Sequence, residues 1–169
     1  MGGKTCDGRS PSLKVSRMHR LTRLETLYTE APVYFITTCT EGRRRLLDNE
    51  KSHEAFRKFC EKARERGALA GSYVLMPDHL HLFVCIPPGE MGLSAWMKSL
   101  KNSLSKHWRE NGIDAPHWQK GFFDHLIRNN ESHAEKWKYV RENPVRAGLV
   151  DRAEDWPYAG RILPDSNGL

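Results

Sequence analysis

Two adjacent apolar runs constrain this chain more than any other feature of its sequence. Residues 68–76 (ALAGSYVLM) and residues 79–86 (HLHLFVCI) each have the length of a strand, and only Pro77 and Asp78 separate them. A two-residue break that contains proline predicts either a tight β-hairpin or a sharply bent continuation of one strand. Both interpretations place strands at the centre of the sequence, and the other elements are assigned around them.

Further strands and helices are predicted on both sides of these runs. Residues 33–40 (VYFITTCT) are rich in β-branched and aromatic side chains, which predicts a strand, and the weaker alternation of residues 122–128 (FFDHLIR) predicts another. Residues 49–66 and 93–108 space apolar side chains three and four positions apart, as amphipathic helices do. A third helix is predicted from about residue 131 to Asn143, because Pro144 disfavours helical geometry in the residue before it.

This order of elements predicts an α+β fold, in which helices pack on one face of an antiparallel sheet. A length of 169 residues suits one domain of ordinary size. We expect that domain to occupy residues 19–160. Residues 1–18 mix Gly, Ser, Pro and basic residues without periodicity, which predicts a flexible N-terminal tail, and residues 161–169 are expected to form a C-terminal tail.

The second apolar run carries two histidines one residue apart, His79 and His81. On a strand, such residues point to the same face with Cα atoms about 6.6 Å apart, so their rings can converge on one cation while Leu80 and Leu82 face the core. Alternatively, each ring is tied to a backbone carbonyl, or the pair is exposed at the sheet edge. Because a structural zinc site has four protein ligands, two imidazoles imply an open site. Imidazole suits manganese, cobalt, nickel or zinc, whereas cellular availability favours magnesium.

A second dense stretch, WKYVRENPVRAGLV, places Tyr139 and Asn143 four residues apart, on one face of the predicted third helix. The simplest alternative for Tyr139 is an interfacial aromatic side chain whose hydroxyl reaches solvent. In order and spacing, however, MPDHLH, HWQKGFFDHLIR and YVRENPVRAGLV, followed by Trp-Pro-Tyr, resemble the REP-associated tyrosine transposases. These belong to the single-tyrosine branch of the HUH (His-hydrophobic-His) nucleases. The resemblance covers roughly residues 20–160.

The resemblance implies a ferredoxin-like, palm-like HUH nuclease fold and a metal-dependent endonuclease and strand transferase that acts on single-stranded DNA beside hairpins. Tyr139 would attack a phosphodiester, forming a 5′-phosphotyrosine and a free 3′-hydroxyl. His79 and His81 would hold Mg²⁺ or Mn²⁺ on the phosphate oxygens, and Asn143 would supply a third, amide ligand. The main alternative is a domesticated protein of the same fold that binds hairpin DNA or RNA without cleaving it.

The charge balance agrees with a nucleic-acid partner. A formal net charge of +6 and a pI of about 9.3 favour a polyanion. The residues predicted to contact DNA lie in the turn after the first strand, on the second helix, before the last predicted strand and around the tyrosine: Arg43, Arg44, Arg45, Lys98, Lys101, Trp118, Lys138, Arg141 and Arg146. Two further tryptophans, Trp96 and Trp108, fall on the apolar stripe of the second helix and are predicted to be core residues.

The sequence also predicts where the chain acts. No apolar run approaches the roughly 18 residues that span a bilayer, and the start MGGKTC lacks the apolar segment of a secretory signal. Four widely separated cysteines without a CxxC pair favour reduced thiols. We therefore expect a cytoplasmic protein, and a monomer rather than a homodimer because the REP-associated branch is often monomeric.

Overall fold

The computed structural model describes residues 31–87, 89, 92–127 and 133–162, so the predicted N-terminal tail and the start of the predicted domain lie outside it. The strands are β1 (Val33–Cys39), β2 (Leu69–Met76), β3 (His79–Cys85), β4 (Phe123–Ile127) and β5 (Ala159–Arg161). The helices are α1 (Glu50–Arg64), α2 (Leu93–Glu110), α3 (His133–Arg141) and α4 (Asn143–Arg146), with short 3₁₀ turns at Glu41–Arg43 and Ala153–Asp155.

The five strands form one sheet in the order β4-β1-β3-β2-β5, and every neighbouring pair is antiparallel. The α+β prediction is therefore confirmed. From β1 to β4 the chain follows the split β-α-β arrangement of ferredoxin-like folds, because β3 lies between β1 and β2. β5 was not predicted, since three residues are too few to show a period of two. It includes Arg161, the first residue of the expected C-terminal tail.

The central hairpin is tight rather than a bent continuation of one strand. Met76 pairs with His79 across the β2–β3 ladder, so Pro77 and Asp78 alone make the turn. The carbonyl of Asp78 accepts hydrogen bonds from the backbone N–H of Thr40 at 2.9 Å and from its hydroxyl at 3.0 Å. These bonds fix the turn against the segment that follows β1.

Helices α1 and α2 cover one face of the sheet and form the larger core. Leu80 and Leu82 are fully buried on this face, and Trp96 and Trp108 of α2 are each 1% exposed, as predicted. The α1 helix begins after Asn49, whose side chain accepts a hydrogen bond from a backbone N–H of the first turn and so caps the helix. No helix in the described part of the chain combines the length and apolarity needed to cross a membrane.

The opposite face of the sheet is also covered, so the expectation that helices occupy one face only is wrong. Phe35 of β1 and Phe83 of β3 point away from α1 and α2, and they pack with Val140 of α3 and with Trp156. Strands that are apolar on both sides need two layers of cover. Helix α3 supplies the second layer.

The third helix is shorter than predicted. It ends at Arg141, and Asn143 opens α4 instead of closing α3. Pro144 explains the break, because proline has no N–H for a helix interior but fits the first turn of a new helix. Residues 131 and 132, where the predicted helix starts, lie outside the described residues.

The cysteines in the described residues, Cys39, Cys60 and Cys85, form no disulfide with one another. Burial raises the pKa of the Cys60 thiol, and it raises that of Cys85 to about 11. Both thiols are therefore protonated at neutral pH.

Candidate active site

The two histidines of β3 form the centre of the candidate site. His79 and His81 project from the sheet face that α3 covers, with ring centroids 4.8 Å apart and ring planes at 87°. The residue between them, Leu80, is fully buried on the other face. Successive side chains of β3 therefore point to opposite faces of the sheet, as the sequence predicts.

Each ring is oriented by a hydrogen bond at Nδ1. Asp78 Oδ1 lies 2.6 Å from Nδ1 of His79, and Thr37 Oγ1 lies 2.9 Å from Nδ1 of His81. Thr37 is the residue directly opposite His81 in the β1–β3 register. Neither Nε2 atom has a hydrogen-bond partner among the described residues. Partners of this kind set the tautomer and direction of histidines that bind metals.

The second histidine is held in its neutral form. Burial of the ring, together with the neighbouring His79 ring and the Arg146 guanidinium, lowers the pKa of His81 to about 3. Phe35 stacks on the His81 ring, with centroids 5.7 Å apart and planes 13° from parallel. Neutral imidazole is the form that binds a metal ion.

These donors fit a divalent metal in an open site. The two Nε2 atoms face the same side of the sheet, yet no cluster of three or more His, Cys, Asp or Glu side chains surrounds them within the described ranges. Two nitrogens do not complete a coordination shell. Water, an amide or the oxygens of a phosphate would have to supply the other ligands.

Tyr139 reaches this side of the molecule from the last turn of α3. Its side chain is 67% exposed, whereas the adjacent Val140 is buried against the sheet. The Arg146 guanidinium stacks 4.1 Å from the centre of the Tyr139 ring and donates to the Tyr139 carbonyl at 2.9 Å. The same cation is near enough to His81 to contribute to its low pKa.

Asn143 lies beside Arg146, which donates a hydrogen bond to its side-chain oxygen Oδ1. The residue predicted as a third ligand is therefore near the tyrosine, but the α3–α4 break has moved it off the regular α3 helix. To bind a metal, Oδ1 would have to face the ion in addition to Arg146 or in its place.

The three arginines after β1 have separate partners. Arg43 contacts Asp78 Oδ2 at 3.3 Å and so extends the chain of contacts that ends at His79. Arg44 donates to two backbone carbonyls of the loop before Trp118, at 2.8 and 3.1 Å, and Arg45 pairs with Asp48. Of the three arginines, Arg43 is the one that contacts a residue bonded to His79.

The remaining residues predicted to contact DNA lie in two places. Lys138 is exposed beside Tyr139, and Arg141 lies 3.7 Å from a carboxylate oxygen of Glu154. Lys98 and Lys101 belong to α2, on the other side of the sheet.

Lys101 and Trp118 are brought together by the fold. The Lys101 ammonium lies 5.6 Å from the centre of the Trp118 ring and donates to the Gln119 carbonyl at 3.0 Å. The Trp118 indole packs against Trp108 with centroids 5.1 Å apart, and its N–H donates to the Lys101 carbonyl at 3.1 Å. This pair braces the loop before β4.

Sequence reasoning missed the residues that orient the histidines. Asp78 was interpreted only as a turn residue, although a carboxylate directly before His79 was a visible signal. Thr37 gave no signal, because its role depends on the register between β1 and β3.

The chain is similar in sequence and in fold to several known proteins. A Haemophilus influenzae protein assigned to the REP-associated tyrosine transposases is 27% identical over 150 residues, which cover 78% of this chain and 81% of the relative. An Escherichia coli REP-associated tyrosine transposase is 25% identical over 132 residues, covering 78% of each chain. The solved structure of a REP-associated tyrosine transposase bound to a REP hairpin matches with a TM-score of 0.64 and 26% identity, over 76% of each chain. Residues 30–143 match the family model of IS200-like transposases, and the chain belongs to that family.

Proposed function

We propose that this chain is a metal-dependent endonuclease and strand transferase that cleaves single-stranded DNA beside a hairpin, with Tyr139 as the nucleophile. The proposal is supported by the exposed Tyr139 ring stacked on Arg146, by the adjacent rings of His79 and His81, and by the effect of the Arg146 charge on His81. A similar transposase has been solved bound to a REP hairpin, which supports hairpin DNA as the partner.

The nucleophile is the Tyr139 hydroxyl. Its oxygen attacks phosphorus and loses its proton, the bond to the 3′ oxygen breaks, and that oxygen leaves and takes up a proton. The products are a 5′-phosphotyrosine and a free 3′-hydroxyl. The covalent link conserves the energy of the broken phosphodiester, so a 3′-hydroxyl can later attack it and rejoin a strand without ATP.

His79 and His81 are suited to hold the cofactor. Their Nε2 atoms would bind Mg²⁺ or Mn²⁺, which would neutralise negative charge on the non-bridging phosphate oxygens. The Asp78 carboxylate accepts from Nδ1–H of His79, which leaves Nε2 of that ring available, and the Thr37 hydroxyl can accept from Nδ1–H of His81 in the same way. Asn143 completes the proposed ligand set from the side of the tyrosine.

Basic side chains around this face would hold the DNA backbone. Lys138 and Arg141 flank Tyr139, and Arg43 lies at the histidine end of the site. Contacts of this kind supply salt-dependent affinity and fix the register of the strand. We propose that the protein acts as a monomer, which is supported by the packing of α3 on the sheet face from which His79 and His81 project.

Binding and cleavage can be separated by experiment. Labelled single strands that flank a hairpin are incubated with the protein and Mn²⁺ or Mg²⁺, and affinity and cleavage are measured on the same samples. His79→Ala and His81→Ala should abolish cleavage and retain most of the salt-sensitive binding, because basic residues supply affinity independently of the metal. The matched control His107→Ala, on α2, should retain both activities. Loss of folding or of binding in the site variants would instead identify the pair as structural, and binding without cleavage by the wild type would support a catalytically silent hairpin binder.

A further inference from the structure

A cavity of about 210 Å³ lies between α1 and α2, on the sheet face opposite the histidine pair. Its deeper walls are apolar and include the rings of Phe59 and Trp96, which meet edge to face with centroids 5.5 Å apart. Two cations, Lys62 and Arg66, and two hydroxyl groups, Ser99 and Ser103, line its more exposed part. The proposed cleavage reaction uses none of these residues.

The tryptophan in this wall carries an unsatisfied donor. Trp96 is 1% exposed, and its indole N–H has no hydrogen-bond partner among the described residues. By contrast, Trp108, Trp118 and Trp156 each donate their indole N–H to a protein oxygen, at 2.9, 3.1 and 2.9 Å. Buried donors are nearly always paired, so this one is unusual. The nitrogen itself is enclosed by the protein, so a molecule in the cavity would contact the ring of Trp96 and not its N–H.

The two cations that line the cavity have no carboxylate partner among the described residues. Neither Lys62 nor Arg66 forms an ion pair among the described residues, whereas two other cations of α1, Arg57 and Lys58, pair with Glu61 and Glu54. The cavity therefore offers two cations at its exposed side and two aromatic rings in its apolar wall. This combination suits a ligand with a negative charge at one end and a planar ring at the other.

We propose that this cavity binds a small anion built on a planar ring, with the ring against Phe59 and Trp96 and a phosphate or carboxylate at Lys62 and Arg66. Ligand pockets usually measure roughly 300–1,000 Å³, so a cavity of about 210 Å³ admits one ring and leaves the charged group at the rim. A nucleoside monophosphate has this chemistry, whether it is free or is an unpaired unit of a DNA strand. The site is separate from the proposed active site and does not depend on cleavage.

The indole resonance of Trp96 is a direct reporter of this site. ¹⁵N-labelled full-length protein, without metal or hairpin, is titrated with deoxythymidine monophosphate and, separately, with benzoate, and the Trp96 indole signal is assigned with Trp96→Phe. Saturable shifts of that signal are expected with both probes. The double variant Lys62→Glu/Arg66→Glu should weaken binding about tenfold or more, because it replaces both cations that would bind the anion with negative charges.

A matched control makes the same change of charge on the two helices that flank the cavity, at positions outside its lining. Lys51→Glu/Arg109→Glu should bind both probes as the wild type does. A thymidine trinucleotide distinguishes the two sources: competition for the Trp96 signal identifies a strand nucleotide, and binding of the monophosphate alone identifies a free small molecule. An unmoved Trp96 signal with every probe, or equal binding by Lys62→Glu/Arg66→Glu, would overturn the proposal even if hairpin cleavage is intact.

Discussion

A carboxylate in the hairpin turn determines how the first histidine of the pair is held. Asp78 bonds Nδ1 of His79 through one oxygen and contacts Arg43 through the other, while its carbonyl is fixed by Thr40. The turn residue is thus part of the candidate metal site. It acts by positioning His79, since its own oxygens are already engaged.

Replacing this carboxylate should weaken metal binding without removing a ligand. We expect Asp78→Ala to lower Mn²⁺ affinity by about 10- to 100-fold, the usual effect of losing an outer-shell partner, as measured by calorimetry on the metal-free protein. Asp48→Ala removes a carboxylate that pairs with Arg45, so it is the matched control and should leave affinity unchanged. Equal affinity in Asp78→Ala and the wild type would show that the hydrogen bond does not support the site.

A buried histidine outside the site predicts how stability depends on pH. His53 lies 2.8 Å from the Tyr73 hydroxyl, and burial lowers its pKa, with Glu50 opposing and Arg57 assisting the shift. Burial also raises the pKa of Tyr73 to about 12, so its hydroxyl is neutral.

As pH falls below about 6.5, the unfolded chain takes up a proton at this position before the folded protein does. The contribution of His53 to the free energy of unfolding should therefore be complete above about pH 6.5. It should decline as pH falls from there toward the lower pKa that His53 has in the folded protein. In urea unfolding with EDTA between pH 7.5 and 5, the wild type should lose more stability than His53→Gln. Parallel pH profiles would contradict this account.

Individual site residues could be predicted where local alternation sets their direction. His79 and His81 share a face because a strand has a period of two, and the sequence alone shows this. The partner of His81 could not be predicted, because Thr37 lies 44 residues away and meets it only through strand pairing.

At the scale of elements, the break between α3 and α4 sets the surroundings of Tyr139, the proposed nucleophile. Arg146, in α4, contacts the ring and carbonyl of Tyr139 in α3 and the side chain of Asn143. The break at Pro144 therefore turns the chain so that a later cation folds back over the tyrosine.

Removal of this cation should impair cleavage more than binding. Arg146→Ala is expected to reduce the cleavage rate on hairpin-flanked strands by about 100-fold, since it loses both the brace on Tyr139 and a charge near the phosphate. The slope of affinity against salt concentration should fall by about one unit. Arg152→Ala, which disrupts a surface pair with Asp155, should leave both quantities unchanged. A cleavage rate equal to that of the wild type would remove Arg146 from the proposed site.

Long periodic elements were predictable, and short or interrupted ones were not. Helices α1 and α2 follow from apolar spacing over four or more turns. Strand β5 has three residues, and α4 has four, so neither shows a period. The end of α3 was misplaced because Pro144 can open a new helix as well as end an old one.

At the scale of the whole molecule, the two faces of the sheet carry different parts of the protein. One face carries α1, α2 and most of the core, and the other carries α3, the histidine pair and Tyr139. The sequence shows strands that are apolar on both sides, but the face on which each helix packs depends on contacts between distant residues. The division nevertheless explains why Lys98 and Lys101, which were predicted to contact DNA, lie away from the candidate site.

The proposed function depends on covalent attachment of Tyr139 to DNA. To test this step, 5′- and 3′-labelled hairpin-flanked strands are incubated with the protein and Mn²⁺. Adducts are resolved on a denaturing gel, and the modified peptide is mapped by mass spectrometry. The wild type and the matched variant Tyr34→Phe should form an adduct through the 5′-phosphate at Tyr139, and Tyr139→Phe should bind the hairpin without forming one. An adduct that persists in Tyr139→Phe, or no adduct on any hairpin-flanked strand that the wild type binds, would contradict the claim.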